Sequence, residues 1–261
     1  MGIEPSGGGN ILKKRLIAID GLDASGKMTQ TEMLRDYLEA KGIPYRYLSF
    51  PTYHDEYSAH VNMYLKGRFG SDPEAVNAFA ASSFFGADRF CSYMLDWKKD
   101  YENGSIILAN RYTSANAVHQ LSKLDESEYD SFLEWLMDYE YNKLGIPKPD
   151  AVIYLCVPPE LSQKLISKRC DETGAEKDIH ESNAKHLENS YRAALYSAEK
   201  LGWIKIDCNE GENMRSREDI QKEINKINKT LPSHKQVKQI ELRETEFEKT
   251  TSKKIKRHLV K

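Results

Sequence analysis

Cysteine is scarce and scattered in this sequence: Cys91, Cys156, Cys170 and Cys208 show neither a C-x-x-C pair nor metal-ligand spacing. A disulfide scaffold and a cysteine-held metal are therefore excluded as organising principles. The thiols are expected to be reduced, in a cytoplasmic setting, with Cys170 alone in a polar context. Long hydrophobic runs are missing too. None reaches the roughly 18 to 20 apolar residues of a bilayer span, and residues 1–10 lack the basic and apolar parts of a secretory signal. Residues 1–11 read as a flexible leader. Net charge is slight, −2 over 261 residues, so neither nucleic acid nor a membrane is expected as a partner.

What is present is apolar material, 39% of residues, sufficient for one sizeable core. Short β-like runs at 15–20, 45–50, 105–109, 151–157 and 203–208 alternate with stretches of helical periodicity. Their connections are long enough for crossover helices, which predicts an α/β fold with a five-stranded parallel sheet covered on both faces. Ligands of such sheets sit at the carboxyl ends of the strands. A helical pattern from Asp72 to about Lys99 puts Phe85 and Arg89 four residues apart on one face. From spacing alone this is a buried aromatic beside a surface arginine. The pattern over 125–144 carries Phe132, Leu133, Leu136 and Tyr139 on one stripe and suggests packing without chemistry. Residues 231–261 hold few large apolar side chains and roughly five net positive charges, and are expected to be a disordered basic tail.

The first run ends in Gly21-Leu22-Asp23-Ala24-Ser25-Gly26-Lys27, and Met33, Leu34, Tyr37 and Leu38 follow at helical spacing. Strand, glycine loop and helix are the context of a phosphate-binding loop. The glycines permit a tight turn whose N–H groups converge on one point beside a helix N-terminus, and Lys27 supplies a point charge for the outer phosphates of a nucleoside triphosphate. Gly21, Ala24, Ser25, Gly26, Lys27, Met28 and Thr29 thus form the candidate ATP site. Met28 stands where the motif carries a hydroxyl for Mg²⁺, which leaves Thr29 as candidate metal ligand, with water and phosphate completing the shell. The second run closes with Phe50-Pro51. The third leads into Asn110-Arg111-Tyr112, where an arginine at the rim suits phosphate oxygens or a structural salt bridge to Asp23 or Asp88, and Asn116 and His119 follow at helical spacing.

Together these separated motifs resemble the thymidylate kinases, P-loop nucleoside monophosphate kinases, over about Leu12 to Asn228. The resemblance implies a P-loop NTPase-like three-layer sandwich spanning 12–230, with a small lid at about 169–181. It implies ATP- and Mg²⁺-dependent conversion of dTMP to dTDP, and a homodimer with the helix from Asp72 as candidate contact. Lys27 and the loop amides would cradle the ATP phosphates, and the 209–214 loop would lie against adenine. In the dTMP site, which includes Phe50, Asp23 would accept from the sugar 3′-hydroxyl. Phe85 would stack on thymine, Arg89 would donate to a base carbonyl, Asn116 would read N3 and its carbonyl, and Arg111 would hold the acceptor phosphate. His119 stands where relatives place an aromatic that crowds a 2′-hydroxyl. With Ala24 neutral, charge for the transferred group is expected from Lys168, Arg169 or Lys177, Lys177 first. Asn110 replaces a frequent aspartate, and Thr52 and Tyr53 replace a frequent phosphate-binding arginine. Two alternatives stay open: a kinase for another pyrimidine monophosphate, and a catalytically silent nucleotide-binding relative.

Overall fold

Every expected strand forms, within one or two residues of its expected ends. In the computed structural model, which describes residues 15–174 and 183–230, the chain runs β1 (Arg15–Gly21), α1 (Lys27–Ala40), β2 (Tyr45–Ser49), α2 (Ala59–Leu65), α3 (Ala78–Ser92), α4 (Lys98–Glu102), β3 (Ile106–Asn110) and α5 (Thr113–His119). It continues through α6 (Tyr129–Met137), β4 (Ala151–Cys156), α7 (Pro159–Thr173), α8 (Ala184–Leu201), β5 (Ile204–Asp207), a small hairpin of β6 (Asn209–Glu210) and β7 (Asn213–Met214), and α9 (Arg217–Thr230). The expected leader and tail, most of the expected lid and Lys177 lie outside the described residues.

Five strands pair in the order β2-β3-β1-β4-β5, all parallel. Side-chain alternation builds the layers. Ile17 and Ile19 of β1 point to one face and pack with Leu34 and Leu38 of α1 and Ile220 and Ile224 of α9. Leu16 and Ala18 point to the other and meet Tyr93, Trp97 and Tyr112. A further cluster joins Phe132, Leu133 and Leu136 of α6 to Ala117 of α5 and Ala193 of α8. Each fully buried aliphatic side chain contributes about 1.5–3 kcal/mol relative to exposure. The central strands are thereby a rigid base for the loops at their carboxyl ends.

Three helical expectations need correction. The helix expected from Asp72 to Lys99 is interrupted: a 3₁₀ turn over Pro73–Ala75 ends in extended Val76, and Asn77 starts α3 by accepting from Ala80 N at 2.8 Å. The chain then continues through a π-helical turn, Tyr93–Trp97, into α4. The 125–144 segment is likewise a 3₁₀ turn, α6 and a second π-helical run, Asp138–Lys143. Finally, α7 extends to Thr173 and is closed by Gly174 at φ 68°, so that Arg169 to Glu172, expected in the lid, are helical.

Candidate active site

β1 runs straight into the glycine loop, and the first residue of α1 is Lys27. Gly26 takes φ 87° at the helix N-cap, a left-handed conformation that glycine adopts without a Cβ clash. No side chain caps α1 and its first turn holds no acidic residue, so its N–H groups and dipole are left to an incoming anion. Gly21 lies beneath the loop, where a Cβ would fall 2.5 Å from Ser25 Oγ and 2.6 Å from the Leu155 carbonyl. Gly21 and Ser25 are thus buried supports, whereas Ala24, Gly26, Lys27, Met28 and Thr29 line the cleft.

Lys27 Nζ donates to the carbonyls of Gly21 (3.0 Å) and Leu22 (2.8 Å) and lies 3.7 Å from Asp23 Oδ1. The same Asp23 oxygen accepts from Arg111, the arginine just past β3. One carboxylate therefore stands between the cation of the phosphate loop and the cation of the neighbouring strand end. Both belong to a single cleft of about 590 Å³ that continues past Phe85, Arg89, Asn116 and His119. Among the described residues, the non-glycine positions with positive φ are Ala24 (59°), Tyr53 (36°) and Arg111 (65°), and all three line this cleft. Such conformations cost about 1–3 kcal/mol each and persist where surrounding structure imposes them.

The far end of the cleft departs from the expectation of a surface arginine. Arg89 is 1% exposed, and its Nε and NH2 donate to Glu140 at 2.7 and 2.5 Å. Thr113 Oγ1 (2.6 Å) and Asn116 Nδ2 (3.1 Å) donate to the same carboxylate, and Asn116 Nδ2 also reaches the Ser82 carbonyl at 3.2 Å. Removing one partner of a buried pair of this kind costs about 3–5 kcal/mol, because the other charge is left alone. The 125–144 segment, whose pattern suggests packing without chemistry, thus carries the carboxylate that holds two cleft-lining residues. Its sequence signal was present: Glu140 lies four residues after Leu136 and seven after Leu133, on the continuation of the buried stripe. Phe85 is held edge-on to Tyr64, ring centroids 6.0 Å apart. Phe50 lines the cleft but packs mainly into the core, edge-on to Tyr112.

Asp88, next to Arg89 and one of the two candidate partners of Arg111, is bound elsewhere. It accepts from Thr52 N (3.2 Å), Thr52 Oγ1 (2.7 Å) and Ser58 Oγ (2.5 Å), and so pins the Phe50–Tyr53 turn over the rim. Thr52 is committed to this role, and Tyr53 lines the cleft. His119 lines the cleft and is otherwise buried. Arg111 NH1 and His119 Nε2 are 2.9 Å apart; because a guanidinium only donates, Nε2 is the acceptor and Nδ1 carries the proton. Burial first, then the Arg111 charge, pushes the His119 imidazole well below its ordinary pKa. His186 of α8 stacks at 5.9 Å, and burial, reinforced by Lys123, lowers it to about 4. Ser190 Oγ lies within 3.5 Å of His119 Nδ1 and 3.4 Å of His186 Nε2.

Of the lid cations, Arg169 lines the cleft, Lys168 faces solvent beside Glu172 (3.8 Å), and Lys177 lies outside the described residues. Arg217 at the start of α9, not anticipated, lines the cleft as well. The 209–214 segment forms the β6-β7 hairpin. Among the described residues, no cluster of three or more His, Cys, Asp or Glu could hold a metal. The neutral oxygen donors lining the cleft near the strand ends include Thr29 and Asn110, whose Oδ1 is buried without a hydrogen-bond partner. Such a set fits a hard cation held mostly by water and phosphate oxygens. No helix among the described residues is long and apolar enough to cross a membrane.

Residues 19–224 match the thymidylate kinase family. The chain is 28% identical to a thymidylate kinase of Mycobacterium tuberculosis over 192 residues, covering 72% of this chain and 87% of that protein. It is 26% identical to one of Plasmodium falciparum over 216 residues, covering 82% and 91%. A solved thymidylate kinase from Candida albicans shares the fold, with a TM-score of 0.61 at 20% identity, over 84% of this chain and 92% of that one. Since the family match takes in the end of β1, the glycine loop, the cleft-lining strand ends and the first part of α9, the chain belongs to the thymidylate kinase family.

Proposed function

We propose that the protein transfers the γ-phosphoryl group of ATP to dTMP, forming ADP and dTDP. The observation that supports this reading most is the Lys27–Asp23–Arg111 bridge inside one continuous cleft, with an anion-binding loop on one side and an aromatic and polar pocket on the other. A phosphate oxygen of dTMP attacks the γ-phosphorus while the bond to the β-bridging oxygen breaks and ADP leaves. Such a transfer asks the protein mainly for alignment and for positive charge around the migrating group. Lys27 and the amides of the α1 N-terminus take the donor phosphates. Arg111, held from behind by His119, takes the acceptor phosphate, and Asp23 receives the sugar hydroxyl. Phe85 stacks on the base, and Arg89 and Asn116 bind its edge. Arg169 and Lys177 bring further charge from α7 and the segment after it. Thr29 and Asn110 are the side chains suited to a Mg²⁺ otherwise held by water and phosphate; the ion's contribution is to lower the negative charge around the transferred group. A homodimer in a cytoplasmic setting belongs to the same reading.

Steady-state turnover of the full chain with ATP, Mg²⁺ and a panel of dTMP, dUMP, UMP, CMP and AMP tests it. Preferred turnover of dTMP is expected. Preference for another monophosphate, or binding of dTMP with no turnover, overturns it.

A further inference from the structure

Glu140 is fully buried and is not itself part of the cleft lining, yet it accepts four hydrogen bonds from three residues, two of which line the cleft. Two carboxylate oxygens have about four acceptor positions, so its capacity is filled. The consequence falls on Asn116. Its amide faces Glu140 and the Ser82 carbonyl, both of which only accept, so the atom turned towards them must be Nδ2. A flipped amide would set an oxygen against two oxygens. Oδ1 is left as the acceptor that Asn116 offers the cleft. Arg89 is constrained in the same way: Nε and NH2 are taken by Glu140, and NH1, 3.4 Å from the Tyr112 carbonyl, is the end not committed to the carboxylate.

We infer that Glu140 is the positioning residue that sets the hydrogen-bond polarity of the base-facing wall, a donor from Arg89 beside an acceptor from Asn116. This rests on the dTMP reading above and deepens it. A pyrimidine edge with a carbonyl next to a ring N–H matches that wall. An edge with an amino group next to an unprotonated ring nitrogen sets donor against donor and acceptor against acceptor. Discrimination between the two bases thus originates in a side chain that touches neither, 51 residues from Arg89 along the chain.

The test measures equilibrium binding of dTMP and dCMP to the full-length protein by calorimetry, with steady-state turnover in parallel. Glu140→Gln removes one acceptor and presents an amide N–H to Arg89 or Asn116, which leaves Asn116 Nδ2 with the Ser82 carbonyl but without its carboxylate partner and so weakens the lock on its amide. Its dTMP-over-dCMP preference is expected to fall by about tenfold or more, as for the loss of one paired base contact. The KM for ATP should stay within about twofold, since the donor end is unchanged. Where Glu140→Gln does not fold, Glu140→Asp decides: it keeps the charge against Arg89 but is too short to reach Arg89, Thr113 and Asn116 together, and the same preference should narrow.

An unchanged preference in a folded variant overturns the inference. So does a wild-type protein that binds the two nucleotides equally. A merely structural glutamate would lower melting temperature and weaken dTMP and dCMP equally, leaving their ratio in place, and that result also overturns it. The kinase reading fails separately, through wild-type protein that prefers dTMP in binding but does not turn it over; the same preference, lost in Glu140→Gln, then still supports the role of Glu140.

Discussion

At the proposed donor end of the cleft the chain offers backbone amides and one lysine, drawn from a few consecutive residues; at the proposed base end it offers side chains from α3 and α5 held by a carboxylate from a third segment. The first arrangement is local. Gly26 turns the chain, α1 begins, and Lys27 folds back onto the carbonyls of Gly21 and Leu22, all within seven residues. The second is assembled from afar, since Arg89, Asn116 and Glu140 meet only after α3, α5 and the 138–143 turn have packed. A phosphate is recognised by charge and by converging N–H groups, which a short loop can supply. A base is recognised by the order of donors and acceptors along an edge, and that order needs side chains locked by partners of their own.

The difference makes the two ends separable by experiment. The largest effect should come from Lys27→Ala, which is expected to lower kcat by about 10³-fold, in the range for losing a charge-stabilising group from a phosphoryl-transfer or oxyanion site. Calorimetric binding of dTMP should change by no more than about twofold. Equal losses in both quantities would mean that the two ends act as one unit.

Protons offer a second way to part them. Buried His186 has a pKa of about 4 in the folded chain, against an ordinary 6.5. Above pH 6.5 both folded and unfolded imidazoles are neutral. Between 6.5 and about 4 the unfolded chain takes up the proton more readily, so stability is lost as the pH falls through that window. From His186 alone, urea unfolding at pH 5 should give a value about 2 kcal/mol below that at pH 7.5. His119 acts in the same direction. His186→Gln should remove that share of the slope and leave the share due to His119. A slope undiminished by this substitution would assign the acid sensitivity to other groups.

The smallest of these effects concerns the base end. Phe85→Ala should raise the KM for dTMP about tenfold, the scale of one lost base-stacking contact, and leave the KM for ATP unaltered. An equal rise in both would place Phe85 in general packing, through its contact with Tyr64, rather than at the base.

The same local-versus-assembled division separates what the sequence showed from what it hid. The strands were readable because apolar alternation and flanking turn residues lie inside each run, and Gly26 and Lys27 were readable because their spacing is itself the motif. The break at Val76 escaped, because the periodicity around it is helical and only the Asn77 cap chooses where α3 starts. Spacing alone makes Arg89 a surface residue, because four-residue spacing does not say what lies opposite. Glu140 was passed over within an apolar stripe, although its place on the buried face was the available clue.

By itself the sequence determined the parallel sheet, the phosphate loop and the rim on which Arg111 sits, since each depends on residues near one another in the chain. Only the tertiary structure decided that Asp23 would couple Lys27 to Arg111, and that a buried glutamate would orient Arg89 and Asn116. The reason is physical: hydrogen-bond direction and charge pairing depend on which groups share a dry space, and that is settled when the helices pack on the sheet.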